Sequence, residues 1–282
     1  MCGLTQGGNW GETSAENNKH WLKGQFKMLG WQIFVHSVRM VFGNLKQVLQ
    51  ITVGPALIAT IIIVGVFLAL GIPLEALDEN AGELPPSVTA GSIFVFIFVL
   101  LAVIFVTVFW IAVSWHRFIL LEEYPTGILP IFRFDRILAY FGRVLMLGIL
   151  MMIAYIPVGL VVAVLGESLA VLSIILVIVY TVFLVVCFYR LSIILPAAAI
   201  GEPISLSDAW NNTTGVGGAI LLLLLVAFLF QVMVQLAFTV LAIIPVLGVL
   251  LTVFFGTLIL PMINVSIFTT MYGVFIEKRE LS

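Results

Sequence analysis

The sequence predicts an all-α integral membrane protein with six transmembrane helices, and three observations lead there. Hydrophobic residues make up 62% of the 282 residues and charged ones only 9%, whereas a soluble domain carries charge on about a quarter of its positions. Long stretches without a single charge recur, each close to the ~20 residues a helix needs to cross a hydrocarbon core. The twelve Lys and Arg fall into five clusters between those stretches: Lys19/Lys23/Lys27/Arg39/Lys46, Arg117, Arg133/Arg136/Arg143, Arg190 and Lys278/Arg279. Helices are required because backbone exposed to lipid must satisfy its own hydrogen bonds. A barrel is excluded, since the apolar runs are continuous rather than alternating.

Taken in order, residues 1–25 are polar, rich in Gly and Asn and without an apolar signal region, so they read as a cytoplasmic tail. Cys2 has no apolar stretch before it and is not Gly, which argues against both a lipoprotein site and myristoylation. At ~100° per residue, Phe26–Gln50 gathers Gln32, His36, Arg39, Gly43, Lys46, Gln47 and Gln50 on one narrow arc, with Trp31, Phe34, Val41 and Phe42 among the apolar remainder. This predicts an amphipathic helix over 26–50 lying in the headgroup plane, nearly perpendicular to the first span, with a bend at Ile51–Pro55. Packing of the same helix against the bundle is the alternative, and the sequence leaves both open.

Spans follow at about 51–74, 92–114, 144–166 and 168–189. From Ala209 to Ile276 no charge occurs. As one helix that run would reach on the order of 100 Å, so it must fold back, and Pro245 with Gly248 gives spans at 217–244 and 247–275. A further break at Pro261 would place Lys278 and Arg279 away from the other basic clusters, so two spans are expected. Residues 277–282 form a short C-terminal tail. Between spans, Ile131–Gly142 is a second amphipathic segment, with Ile131, Phe134, Ile137, Leu138 and Phe141 on one side and Arg133, Asp135, Arg136 and Tyr140 on the other. Ser205 and Asp208 form a capping-box pattern opening a short helix that ends at Gly215.

These elements suggest three repeats of an interfacial helix plus a transmembrane hairpin. Trp115-His116-Arg117-Phe118 and Phe188-Tyr189-Arg190-Leu191 match locally at the ends of the second and fourth spans. Basic residues beside span ends stay cytoplasmic, while Glu75, Asp78, Glu79, Glu83 and Glu167 sit in connections without counter-charge. Both termini are therefore expected inside.

No nucleotide-binding or hydrolase motif is present, and His20, His36 and His116 are isolated from one another. The two cysteines give no disulfide framework, and no cofactor, metal or nucleic acid is implied. His116 reads as an interfacial anchor. Arg39, Lys46, Arg117, Arg136 and Arg190 are candidates for contact with lipid headgroups or a partner's carboxylates, Arg117 and Arg190 by snorkelling. Gln231 and Gln235, one turn apart on the fifth span, and Asn264 on the sixth form a candidate polar seam. It serves either interhelical hydrogen bonding or a substrate path.

Tyr189-Arg190-Leu191-Ser192, Leu195-Pro196-Ala197-Ala198, Gly201-Glu202 and Ser207-Asp208-Ala209-Trp210, followed by Thr213 and Gly215, resemble the multi-spanning bacterial inner-membrane proteins grouped around the glycerophosphoryl diester phosphodiesterase membrane domain and the YciC-like family. The resemblance is close over some thirty residues, and the six-span layout extends it. It implies an inner-membrane location but no activity, because the phosphodiesterase chemistry belongs to a separate soluble barrel for which this chain has no room. The expected role is non-enzymatic, a structural or accessory protein acting on the bilayer or on a membrane partner, with homo-oligomerisation open. A transporter or lipid-handling permease using the polar seam is the rival expectation.

Overall fold

The computed structural model describes residues 28–71, 89–125, 127–165 and 169–281. The expected tail 1–25 and the acidic positions Glu75, Asp78, Glu79, Glu83 and Glu167 lie outside them. The described residues are all-helical: α1 (28–43), α2 (Leu45–Ala69), α3 (Ala90–Leu121), α4 (Phe134–Leu165), α5 (Ala170–Leu191), α6 (Ile194–Ile200), α7 (Leu206–Asn212), α8 (Gly217–Leu241), α9 (Leu247–Phe254) and α10 (Leu260–Phe275). Among the described residues, six helical stretches are long and apolar enough to cross a membrane. They are α2, α3, α4, α5 continued through α6, α8, and α9 continued through α10. The chain is an all-α, multi-span membrane protein.

The fold-back in the long charge-free run occurs where Pro245 and Gly248 place it. Val246 takes a positive φ of 63°, and a Cβ on Gly248 would overlap the Leu241 carbonyl, so only glycine lets the two arms close. Pro261 does not end the sixth span. The helix widens instead into a π-turn over Phe255–Ile259, where the Leu260 N–H bonds the Phe255 carbonyl. This places Pro261, which has no N–H to give, at the start of the next helical segment.

The amphipathic segments depart from expectation. The helix predicted over 26–50 is broken at Asn44, whose side-chain amide donates to the Met40 carbonyl at 2.8 Å and closes α1. Residues 45–50 are the first turns of the first span, and Pro55 lies inside α2 rather than at a bend. α1 is packed on the bundle: Gly30, Ile33, Phe34, Ser37 and Val41 are buried, while Met28, Trp31 and Phe42 are exposed. A Cβ on Gly30 would overlap the Ala219 carbonyl of α8, the small-residue close approach of membrane helices. Phe34 meets Phe230 edge-on at 5.4 Å.

The segment Ile131–Gly142 is not a separate helix either. From Phe134 it is the first part of the 32-residue α4. The side facing the protein is Ile137 with Tyr140, whereas Phe134, Leu138 and Phe141 are exposed. Tyr140, expected on the polar side, turns inward, and its hydroxyl faces the buried His116. Of the three expected interfacial helices, α1 and α7 are distinct from the spans and the middle one is not.

Burial is concentrated at one end of the molecule. It takes in the first half of α2, α3 from Phe109 onward, the start of α8 and much of α10. At the centre lies α6, which contacts α3, α4 and α10. Every residue from Leu191 to Ile200 is buried. The far halves of the hairpins are apolar and outward-facing, with few buried positions.

Candidate functional site

The packed end is also the basic end, and the positions of its cations follow from helix termini. The last carbonyls of a helix have no intrahelical donor and carry the negative end of the dipole. Arg117, in the last turns of α3, reaches across to α6, where Nη1 donates to the Ala199 and Ile200 carbonyls at 3.3 and 3.4 Å. Arg190, near the end of α5, does the same for α7: Nη2 donates to Trp210 O at 2.8 Å and Nε to Thr213 Oγ1 at 3.2 Å. Its guanidinium lies 3.5 Å from the centre of the Trp210 ring, a stacked cation–π contact. Arg279 donates to Leu120 O of α3 at 3.3 Å, and Lys278 Nζ to Phe275 O of α10 at 2.5 Å. The local match between the two span ends thus corresponds to one shared device, an arginine that closes a short helix later in the chain, α6 for Arg117 and α7 for Arg190.

Arg117 has a second commitment. Its guanidinium pairs with Glu123, which also accepts from Arg133 Nε at 3.0 Å. Partial burial works to raise the Glu123 pKa, but hydrogen bonds from Arg117 and Arg133 and their charges outweigh it and hold the carboxyl below its ordinary value. At the opening of α7 the capping box is formed, with Ser205 and Asp208 bonded reciprocally. The Ser205 hydroxyl and N–H hold the Asp208 carboxyl below its usual range.

Beneath this layer lies a buried polar cluster. Trp115 and His116 are fully buried, so His116 is not the interfacial anchor expected of it. Trp115 Nε1 donates to Ser266 Oγ at 2.9 Å. Thr269 gives its hydroxyl proton to the Val265 carbonyl, so His116 Nδ1 is the donor in the 2.8 Å bond to Thr269 Oγ1. Nε2 is then the acceptor facing the Tyr140 hydroxyl at 3.5 Å. Ser37 likewise donates to the Ile33 carbonyl and accepts from Thr270 at 3.0 Å, fastening α1 to α10. Sequence reasoning weighed the amides of the last two spans and passed over these hydroxyls. The signal available was the spacing of Ser266, Thr269 and Thr270 on one face of an otherwise apolar helix.

The other candidates are spread out. Arg39 is exposed on α1 and Lys46 is exposed at the start of α2. Gln231 and Asn264 line one small cavity of about 20 Å³ beside Phe34 and Phe230, and Gln235 is not part of it. Among the described residues no hydrogen bond joins the three amides, so the interhelical bonding expected of them is not formed. Arg136 lies at a larger cleft of about 440 Å³ with Ala139, Gly142, Arg143 and Met146 of α4, facing Ala198 and Pro203. Among the described residues, no group of three or more His, Cys, Asp or Glu is placed to hold a metal ion. No family model, curated protein or solved structure matches the chain.

Proposed function

We propose that this is a non-enzymatic, multi-pass protein of a bacterial inner membrane, with both termini cytoplasmic, that acts on the lipid bilayer or on a membrane partner. The observation that carries this reading is how the packed end uses its charge. Arg117, Arg190, Lys278 and Arg279 all close helix ends, and the hydrogen-bonded groups below them bind one another, so the polar core is a scaffold. What the scaffold presents outward is apolar helix surface along α2 to α5 and α8, suited to lipid or to another spanning protein. The orientation rests on the bias of basic residues to the cytoplasmic side, and the inner-membrane location on the resemblance around Arg190–Gly215.

Reporter fusions test the orientation. Fusions at Gly82 and Glu167 should read periplasmic and those after Arg136, Asp208 and Glu280 cytoplasmic, whereas a cytoplasmic signal at Gly82 overturns the topology. Affinity purification of the full chain with identification of retained lipids and proteins tests the role. Recovery of a reproducible lipid class or spanning partner supports it, and a bare chain with a transport activity favours the permease reading. One observation speaks for that rival, the shared cavity of Gln231 and Asn264. At about 20 Å³ it is sized for roughly one water molecule.

A further inference from the structure

We infer that the cleft between the start of α4 and the end of α6 is a binding site for the phosphodiester headgroup of an anionic phospholipid. The cleft is lined along one stripe of α4 by Arg136, Ala139, Arg143 and Met146, and across from them by Ala198 and Pro203. From Arg136 to Met146 the stripe runs ~15 Å along the helix. It passes from a guanidinium at the rim through a second guanidinium to a thioether lower down. That sequence of surfaces matches a lipid, with phosphate above and glycerol and acyl chain below. Small side chains make the room: Ala139 and Ala198 line the walls, and nothing lies within 4 Å of where a Cβ on Gly142 would stand.

Charge at the site is less committed than at Arg117, Arg190, Lys278 and Arg279, which close helix ends. Arg136 spends only its Nε, on Asp135 Oδ2 at 3.0 Å. Its terminal nitrogens lie over Gly201, where a Cβ would come within 2.7 Å of Cζ. Gly201 also holds a φ of +94°, and it is this conformation that calls for glycine. Among the described residues, neither the Nη groups of Arg136 nor any nitrogen of Arg143 meets an acceptor. Two half-buried guanidiniums at one open cleft, with the Nη groups of both free of acceptors, are suited to the two non-bridging oxygens of a phosphodiester. Basic pockets between spans at the cytoplasmic face take anionic headgroups in this way, and Arg143 sits low enough to snorkel upward to the same phosphate.

This site deepens the lipid reading proposed above and rests on its orientation, yet the two can fail separately. If the fusions hold and the cleft binds nothing, only the site is lost. The test uses the full chain in bilayer discs of equimolar phosphatidylglycerol and phosphatidylcholine, with lipids retained after detergent extraction quantified by mass spectrometry. Each guanidinium is worth roughly a fivefold preference, so Arg136→Gln with Arg143→Gln should lower the retained phosphatidylglycerol ratio on the order of twentyfold. Lys278→Gln removes a charge at the same end outside the cleft, keeps an amide donor for the Phe275 carbonyl, and should leave the ratio unchanged. Equal loss from both variants, or no loss from either, overturns the site. So does displacement of the lipid by millimolar inorganic phosphate, which would make the ligand a soluble phosphate. A melting curve of the double variant that matches the parent excludes misfolding as the cause of any loss.

Discussion

The two halves of α3 differ sharply in their surroundings. From Ala90 to Val108 no residue is buried, whereas eight lie buried between Phe109 and Leu120. Both halves are strongly apolar. What separates them is the presence of groups that find a specific partner: Trp115 with Ser266, His116 with Thr269 and Arg117 with the end of α6. In lipid, apolar surface gains nothing by turning from an acyl chain to a leucine, so helices associate through close packing and polar bonds. The packed half has both. The open half has chiefly its neighbour in the hairpin, as where Phe67 of α2 meets Phe96 of α3 edge-on at 5.7 Å.

The contrast is broken most directly by paired substitutions on α3. Trp115→Ala should cost about 3–5 kcal/mol as a buried aromatic lost with its hydrogen bond. Phe98→Ala, at a site 64% exposed, should leave the thermal midpoint in detergent nearly unchanged. Comparable losses at the two positions would mean that the open half is packed as well. Next in size is Gly30→Val, which drives a side chain into the α8 backbone. About 1–3 kcal/mol of overpacking should appear as a lower midpoint and as protease access to α1.

A smaller effect follows from Glu123. Because its carboxyl is held below the ordinary value in the fold, it contributes stability at neutral pH that is lost as pH falls through the folded-state pKa. The midpoint of the parent should therefore drop in acid more steeply than that of Glu123→Gln, which should be lower at neutral pH. Parallel curves would remove the Arg117–Glu123–Arg133 group from the reasons the basic end holds together. Smallest of all is the triple change of Gln231, Gln235 and Asn264 to Leu. All three are exposed and unbonded to one another, so insertion and melting should be preserved. A loss of transport with melting unchanged would promote the permease.

How much of this was legible follows the same division. The six spans were, because charge-free length is a property of the chain alone, and so were the Pro245 turn and the Ser205 capping box, which are local. The break at Asn44 was missed because a side chain closing its own helix competes with a strong apolar pattern, and the pattern dominated the reading. The buried helix α6 was hidden among apolar residues that look the same whether they face lipid or core. His116 looked like an anchor because its partner Thr269 lies 153 residues away.

That separation has a consequence for how the protein is made. Ser37, Trp115 and His116 are translated long before α10, and their partners lie 233, 151 and 153 residues further on. A nascent chain therefore delivers its first two hairpins to the membrane with these groups still waiting. The last helix carries all three partners. A chain stopped after Ile259 would keep five of its six spans and lose every one of those partners. Quality control that senses exposed polar groups within the bilayer thus has, in this protein, a single late event to monitor.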